Sequence, residues 1–347
     1  MSAYISTQSI STSLRQSVLQ LQTDLSNVQT EVSTGNYADI GLTLGNQTGQ
    51  SVSLQADNAF LQTISVTNSK ASARLATTQN SLADLQSSAQ SMLETLVGSN
   101  GATTDAATVQ STAAADLSSL ISTLNATLNG DHLFAGINTS SAPITDYNSP
   151  AAPNKASVDA AFSSAFGMPQ MSAGVSGISG GAMQSFLDTQ FAPLFQGANW
   201  TSTWSSANDQ TLSGQIAPNQ TESTSVSANQ PAFQQLAQAY TMLSDLGSQN
   251  LSQAAYQAVV ATARTTLTSA IAGLTNLQAS VGQIQSSVST ANNQMSLQMN
   301  LLSTQISNLE SVNTYEASTR VSELQTQIEL SYSLTSQLQQ LSLVKFL

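Results

Sequence analysis

The chain has 347 residues, enough for two or three domains, and only 7% of them are charged, against about 25% in an ordinary soluble protein. Its net charge of −12 argues against nucleic acid and against an anionic membrane surface as partners, because both need basic patches. The absence of cysteine excludes disulfides and thiolate metal sites.

Apolar residues near the start of the chain are spaced alternately four and three apart, which is the pattern of a coiled-coil seam. The seam consists of Leu14, Val18, Leu21, Leu25, Val28 and Val32. The helix is predicted to end at Gly35, and the glycine-punctuated segment 35–45 is interpreted as a structured loop. Residues 1–40 are therefore predicted to form an N-terminal coiled-coil helix.

Residues 41–138 are predicted to form the first part of a helical bundle. One apolar helical face extends from Phe60 to Leu96, and Gly98 supplies a stop signal. A third, shorter helix is predicted to stop at Gly130. Its apolar face carries Leu117, Ile121, Leu124 and Leu128.

Residues 139–225 differ from the rest of the chain. Most of the prolines, both tryptophans and a glycine-rich run at 174–181 lie here, and a helical period is visible only between Met183 and Phe191. This segment is predicted to be a small α+β or β-rich domain, with long loops, inserted between helical arms.

Residues 226–312 are predicted to form the second part of the bundle. A helix begins after Pro231 and ends at Gly247, and a helical stripe then extends from Ser252 to Glu310. Such a helix would be roughly 90 Å long. No compact domain needs a rod of that length, so it must pack along the earlier helices.

Residues 313–347 repeat the coiled-coil pattern with one slip, and are predicted to form a C-terminal coiled-coil helix. The stripe consists of Ala317, Val321, Leu324, Ile328, Leu334, Leu338 and Leu341. Neither terminal stripe can cover its own seam, and the other end of the same chain is the simplest partner. The predicted fold is mainly α: a long antiparallel helical bundle with paired N- and C-terminal coiled-coil helices and the inserted domain.

The candidate functional residues lie on these terminal helices and are predicted to form an assembly interface. They are Leu14, Val18, Leu21, Leu25, Val28, Val32, Val321, Leu324, Ile328, Leu338, Leu341, Leu343 and Phe346. Uncharged polar side chains elsewhere also suit a surface buried against neighbours, because they can be buried with hydrogen bonds more cheaply than charges. An extracellular adhesin with the same Ser/Thr/Asn bias is the alternative.

Catalytic or metal-binding chemistry is not indicated. His132 is the single histidine and has neither a second histidine nor a cysteine to complete a metal site. Acidic residues are spread singly along the chain, so we predict no enzyme, no cofactor and no metal. The first ten residues do not form a secretory signal, and no apolar run reaches the length of a membrane span. The chain is expected either to be cytoplasmic or to leave the cell by a route that reads an uncleaved N-terminus.

Three segments resemble the flagellin family. The sequence Glu31-Val-Ser-Thr-Gly35 resembles the family's "LSTG" turn, and Asp131–Thr139 followed by Pro143 resembles the "LFAG-x-x-T...P" stretch of its hook–filament junction members. The tail 339–347 is similar to the "LSL...YL" end of the same members, with Phe346 in the aromatic place. Segment 36–45 departs from the basic residue and "DDAAG" segment of filament flagellins, which favours a junction member over a filament subunit.

The resemblance implies a structural subunit of the bacterial flagellum, secreted through the flagellar type III apparatus. The paired termini would form an inner coiled coil lining a central channel, and the inserted domain would face outward. Implied partners are further copies in a ring or filament, the hook-end junction protein, flagellin and an export chaperone.

Overall fold

A computed structural model describes residues 7–99 and 102–344. Three quarters of these described residues are helical, and the sheets among them are small and antiparallel, which confirms the predicted mainly α bundle with an inserted β-containing part. The chain divides into two compact units. The terminal unit consists of Met1–Thr63 and Gln294–Leu347, and the central unit is Ile64–Asn293.

The α-helices follow in chain order: α1 (Thr7–Thr34), α2 (Ile40–Leu44), α3 (Thr48–Gly98), α4 (Ala106–Leu124), α5 (Pro153–Phe166), α6 (Gly180–Phe186), α7 (Gly197–Thr203), α8 (Pro231–Asp245), α9 (Gln253–Glu310) and α10 (Thr314–Val344). The strands form two antiparallel hairpins: β1 (Thr127–Leu128) with β2 (Asp131–His132), and β3 (Ser213–Ala217) with β4 (Gln220–Ser223).

The longest helix, α9, confirms the long helix predicted from the sequence, and α3 is the second longest. Helix α9 has 58 residues and ends at Glu310, as expected, and α3 has 51 residues and ends at Gly98. Within the central unit the Gln86 side chain joins them: it donates to Thr275 Oγ1 at 3.0 Å and accepts from Gln278 Nε2 at 2.9 Å. Polar side chains therefore supplement the apolar stripe along which these helices pack.

The core of the central unit contains a continuous series of stacked and tilted aromatic rings. Trp204 is fully buried and stacks on Trp200 and Tyr147, with ring centroids 5.5 and 5.3 Å apart. Phe195 continues the series 5.1 Å from Trp204, and Phe191 lies 5.0 Å beyond it. The inserted segment thus contributes a large part of the apolar core, because aromatic rings bury more surface than other side chains.

Two local predictions were wrong. The third helix, α4, ends at Leu124, and Leu128 lies in strand β1 because Asn129 and Gly130 adopt positive φ angles (56° and 92°) and form a hairpin turn. Two helices in the middle segment were missed: α5 spans Pro153–Phe166 and buries Val158 and Phe162, and α7 spans Gly197–Thr203 and buries Trp200.

The Leu133–Gly136 motif is a buried strip that joins two distant parts of the central unit. Leu133, Phe134 and Ala135 are fully buried, and the Phe134 carbonyl accepts a hydrogen bond from Ala228 N at 2.7 Å. Gly136 has φ +64°, and a Cβ there would lie 2.2 Å from the Asn208 carbonyl oxygen. Glycine is therefore required at this position for both its conformation and its lack of a side chain.

A polar network fastens α5 to the end of α8. The Asp245 carboxylate accepts hydrogen bonds from Tyr147 Oη at 2.6 Å and from Lys155 Nζ at 2.8 Å. Burial, followed by the negative charge of Asp245, raises the pKa of Tyr147 far above its usual value. Burial also raises the pKa of Tyr240 and Tyr256.

These three phenols predict a loss of stability in alkali. Above about pH 10 the unfolded tyrosines ionise while the folded ones keep their protons, so the unfolded chain binds fewer protons and the free energy of unfolding falls as pH rises. We expect each tyrosine to contribute up to about 1.4 kcal/mol per pH unit above that pH. Urea unfolding followed by fluorescence of Trp200 and Trp204, both of which lie in the central unit, measures this slope. The variant Tyr147→Phe should flatten it, whereas a constant free energy between pH 9 and 11 would contradict the prediction.

Candidate assembly surface

The terminal unit pairs the two ends of the chain as antiparallel helices. Helix α1 packs along α10, and the turn that ends α1 meets the start of α10, where Val312 N donates to the Gly35 carbonyl at 2.9 Å. Farther along the pair, Gln22 Nε2 donates to Tyr332 Oη at 2.8 Å. The partnership of the termini predicted from the heptads is therefore present within one chain.

Most predicted seam residues of α1 face its partner. Val18 and Val28 are buried, and Leu14, Leu21 and Leu25 are half-buried. Val32 is 38% exposed, and the neighbouring Glu31 is buried instead. The loop after Gly35 causes this exchange, because it folds back and its Ala38 N–H donates to Glu31 Oε1 at 3.4 Å.

The seam on α10 continues through small polar residues. Ala317 is buried, and Val321, Leu324 and Ile328 are half-buried, as the heptads predict. The next half-buried positions are Ser331 and Thr335, and Leu334 is 51% exposed. The apparent slip in the sequence pattern is therefore a change of residue type on an uninterrupted stripe. Leu338, Leu341 and Leu343 lie in α10 with side chains outside the described part of the chain, and Phe346 also lies outside it.

Large apolar side chains of the terminal unit remain uncovered. On α1 and α10 they are Leu19, Val32, Tyr315, Leu330, Tyr332 and Leu334, and on the adjoining parts of α3 and α9 they are Val52, Phe60, Leu297 and Leu301. Scattered exposed apolar residues are ordinary, but this set is concentrated on helices whose other faces are already paired. Contact with further protein molecules would remove these side chains from water.

The link between α3 and the end of α9 is polar and was not expected from the sequence. Glu310 is buried, and its Oε1 accepts hydrogen bonds from the Ser51 hydroxyl and from Gln55 Nε2, the latter at 2.6 Å. The Glu310 carbonyl accepts from Tyr37 N at 2.9 Å. Glu310 therefore ties the loop after α1 to two helices, a role that no apolar pattern could reveal.

A cleft of about 410 Å³ lies in the terminal unit between α1, α10 and the loop that leads to α2. Its charged lining residues are Asp24, Glu31, Asp39, Arg320 and Glu323, and its apolar lining includes Val28, Leu42 and Leu324. The sequence prediction missed this cleft because its acidic residues are far apart in the chain.

Neither metal binding nor membrane spanning is supported in the described ranges. Across residues 7–99 and 102–344, no three His, Asp or Glu side chains are grouped so as to hold a metal ion. Helices in the same ranges lack an apolar stretch long enough to cross a lipid bilayer. His132 lies in β2, where its Nδ1 is 2.9 Å from the Asn125 carbonyl oxygen, a contact that holds the hairpin to the end of α4.

The matches to a known protein family lie at the two ends of the chain. Residues 5–139 match the bacterial flagellin N-terminal helical region, and residues 265–347 match the bacterial flagellin C-terminal helical region. Curated protein sequences give no match. A solved structure described as a flagellar hook-associated protein from Vibrio parahaemolyticus is similar in fold, with a TM-score of 0.52 at 12% identity over 76% of this chain and 97% of that one. Because the two family matches together cover more than half of the sequence, the chain belongs to the flagellin family, whose members are structural subunits of the bacterial flagellum.

Proposed function

We propose that the chain is the subunit that joins the end of the flagellar hook to the flagellin filament. The observation that carries the proposal is the set of uncovered apolar side chains on helices α1 and α10, such as Leu19 and Leu330. Burial of a large apolar side chain stabilises an assembly by about 1.5–3 kcal/mol. Terminal helices that pair within the chain and still expose apolar residues are suited to packing against copies of themselves.

Two observations favour a junction subunit over a filament subunit. The solved structure with a similar fold is described as a flagellar hook-associated protein. The buried motif Leu133–Gly136 and the tail ending in Phe346-Leu347 resemble the junction members of the family. The second candidate is a filament flagellin. The family matches and the exposed apolar side chains are compatible with that role as well.

The proposal includes the partners and the route of export. The subunit forms a ring or short filament of identical copies, contacts the hook-end junction protein on one side and flagellin on the other, and leaves the cell through the flagellar export apparatus. The apolar tail at 341–347 is too hydrophobic to be left in water in the finished assembly. The resemblance to the flagellin family also implies an export chaperone. Two of the interface residues predicted from the heptads, Val18 and Val28, are already buried within the chain. The others, from Leu14 to Phe346, are proposed to make the contacts between copies, together with the uncovered side chains such as Leu19 and Leu330.

Deletion of the gene, combined with localisation of the protein, tests the proposal. We expect cells with complete hooks and no filaments, flagellin secreted into the medium as monomer, and immunogold label on wild-type flagella confined to the end of the hook. Label along the whole filament, with no flagellin in the medium of the deletion strain, would favour the filament candidate. Normal filaments in the deletion strain would contradict a flagellar role and favour a surface adhesin.

A further inference from the structure

The cleft between α1, α10 and the loop before α2 carries an excess of negative charge. Its four carboxylates, Asp24, Glu31, Asp39 and Glu323, face a single cation, Arg320. In the described part of the chain the ion pairs found involve Lys155, so Arg320 neutralises none of these carboxylates at ion-pair distance. Asp39 already has a structural role, because its Oδ1 caps α2 by accepting from Leu42 N at 2.8 Å.

Glu31 is the unusual member of the cleft. The residue is 8% exposed, and its Oε2 has no hydrogen-bond partner. Its other oxygen accepts the long 3.4 Å hydrogen bond from Ala38 N. A buried carboxylate without a counter-charge is strongly destabilising, whereas a cation brought close to it recovers much of that cost. The cleft is therefore incomplete in the isolated chain.

The missing group has the character of a long basic side chain. Among the described residues no three His, Asp or Glu side chains are grouped so as to hold a metal ion, which favours an organic cation over a metal ion. The cleft combines its carboxylates with apolar lining from Val28, Leu42 and Leu324, and Leu42 is 83% exposed at its edge. Lysine and arginine bury an aliphatic stem against apolar surface while their charged head reaches a carboxylate.

This chain itself carries unused cations of that kind. Arg15, Lys70 and Arg264 are exposed and form no ion pair within the described ranges. In a chain with only seven lysines and arginines, three free basic side chains and one unneutralised acidic cleft are complementary. We propose that the cleft at Glu31 receives the basic head group of Arg15, Lys70 or Arg264 from a second copy of the chain. This inference rests on the proposed function, because it needs copies that assemble.

The test compares the incorporation of variants into sheared flagella of the native bacterium. Glu31→Gln keeps the shape and the acceptor for Ala38 N but removes the charge, and Glu323→Gln removes an exposed carboxylate of the same cleft. We expect each to lower the ratio of incorporated to exported protein at least ~5-fold. Glu329→Gln is the matched control, since Glu329 is an exposed glutamate of α10 outside the cleft, and it should incorporate as wild type. Thermal unfolding of each purified variant shows that it folds, and the exposed Glu323 keeps the test valid if Glu31→Gln unfolds.

The proposed basic partner of the cleft is tested with the variants Arg15→Gln, Lys70→Gln and Arg264→Gln. One of the three should lower incorporation as the cleft variants do. Combining it with Glu323→Gln should lower incorporation little further than either change alone, as expected for two partners of one contact. If both cleft variants incorporate as wild type does, the proposal is overturned while the proposed function stands. If the cleft variants fail and all three basic variants incorporate normally, the occupant is none of these three side chains and the proposal is equally overturned. Absence of the wild-type protein from flagella would remove the proposed function and this inference together.

Discussion

Trp204→Ala is expected to lower the free energy of unfolding of the central unit by about 3–5 kcal/mol. Trp204 is fully buried between Trp200, Tyr147 and Phe195, with ring centroids 5.1–5.5 Å away. Alanine would leave a cavity in the middle of an aromatic series, and rings packed on both sides cannot close over it without shifting α7. Urea unfolding monitored by far-ultraviolet circular dichroism measures the loss.

Trp204→Phe is the control that separates packing from hydrogen bonding. The Trp204 indole N–H is buried without a hydrogen-bond partner, and an unpaired buried donor costs about 1–3 kcal/mol. Phenylalanine removes that donor and keeps most of the ring, so its cost should be well below that of alanine. Equal losses for the two variants would show that the aromatic packing described here is not what stabilises the unit.

Apolar periodicity was a reliable guide wherever helices are long. The stripe from Tyr256 to Leu309 predicted α9 almost to the residue, because a helix of 58 residues repeats its pattern many times. The terminal heptads likewise predicted that α1 and α10 pair. Short elements repeat too few times for periodicity to locate them.

The missed elements carried other signals. Helix α5 begins with Pro153 in its first turn, buries Val158 and Phe162 one turn apart, and ends at Gly167 with φ +69°, which are ordinary start and stop signals. The Asn129-Gly130 pair is a strong hairpin signal that was interpreted as a helix end. The residues around both segments have the composition of loops, so the helix start and stop signals and the hairpin signal were overlooked.

Buried polar groups of the terminal unit were beyond sequence reasoning. Glu31 and Glu310 are buried because a loop folds over the first and Ser51 and Gln55 converge on the second. Each environment depends on residues distant in the chain. A heptad pattern assigns positions such as that of Glu31 to the solvent-exposed face of the helix. It therefore predicted that Val32 is buried, whereas the buried residue is Glu31.

Leu25→Asp is expected to abolish incorporation of the chain into flagella. Leu25 is half-buried on the seam of α1, and Asp24 beside it already lines the acidic cleft with Glu31. A new carboxylate there would be half-buried near other negative charges, at a cost on the order of several kcal/mol per subunit. In a ring or filament every copy carries that cost, so it is multiplied around the assembly. Electron microscopy of cells that carry the variant as their only copy, with quantitation of the protein in sheared flagella, measures the effect.

Ser26→Asp is the matched control, because it adds the same charge at the next residue, which is exposed on α1. It should assemble at close to the wild-type level, since a solvated aspartate on a helix surface costs little. Trp204→Phe should also assemble, because Trp204 belongs to the core of the central unit. Normal filaments with Leu25→Asp, together with loss of filaments from Trp204→Phe, would mean that the central unit makes the contacts between copies. The seam of α1 would then serve only to hold α10 within its own chain.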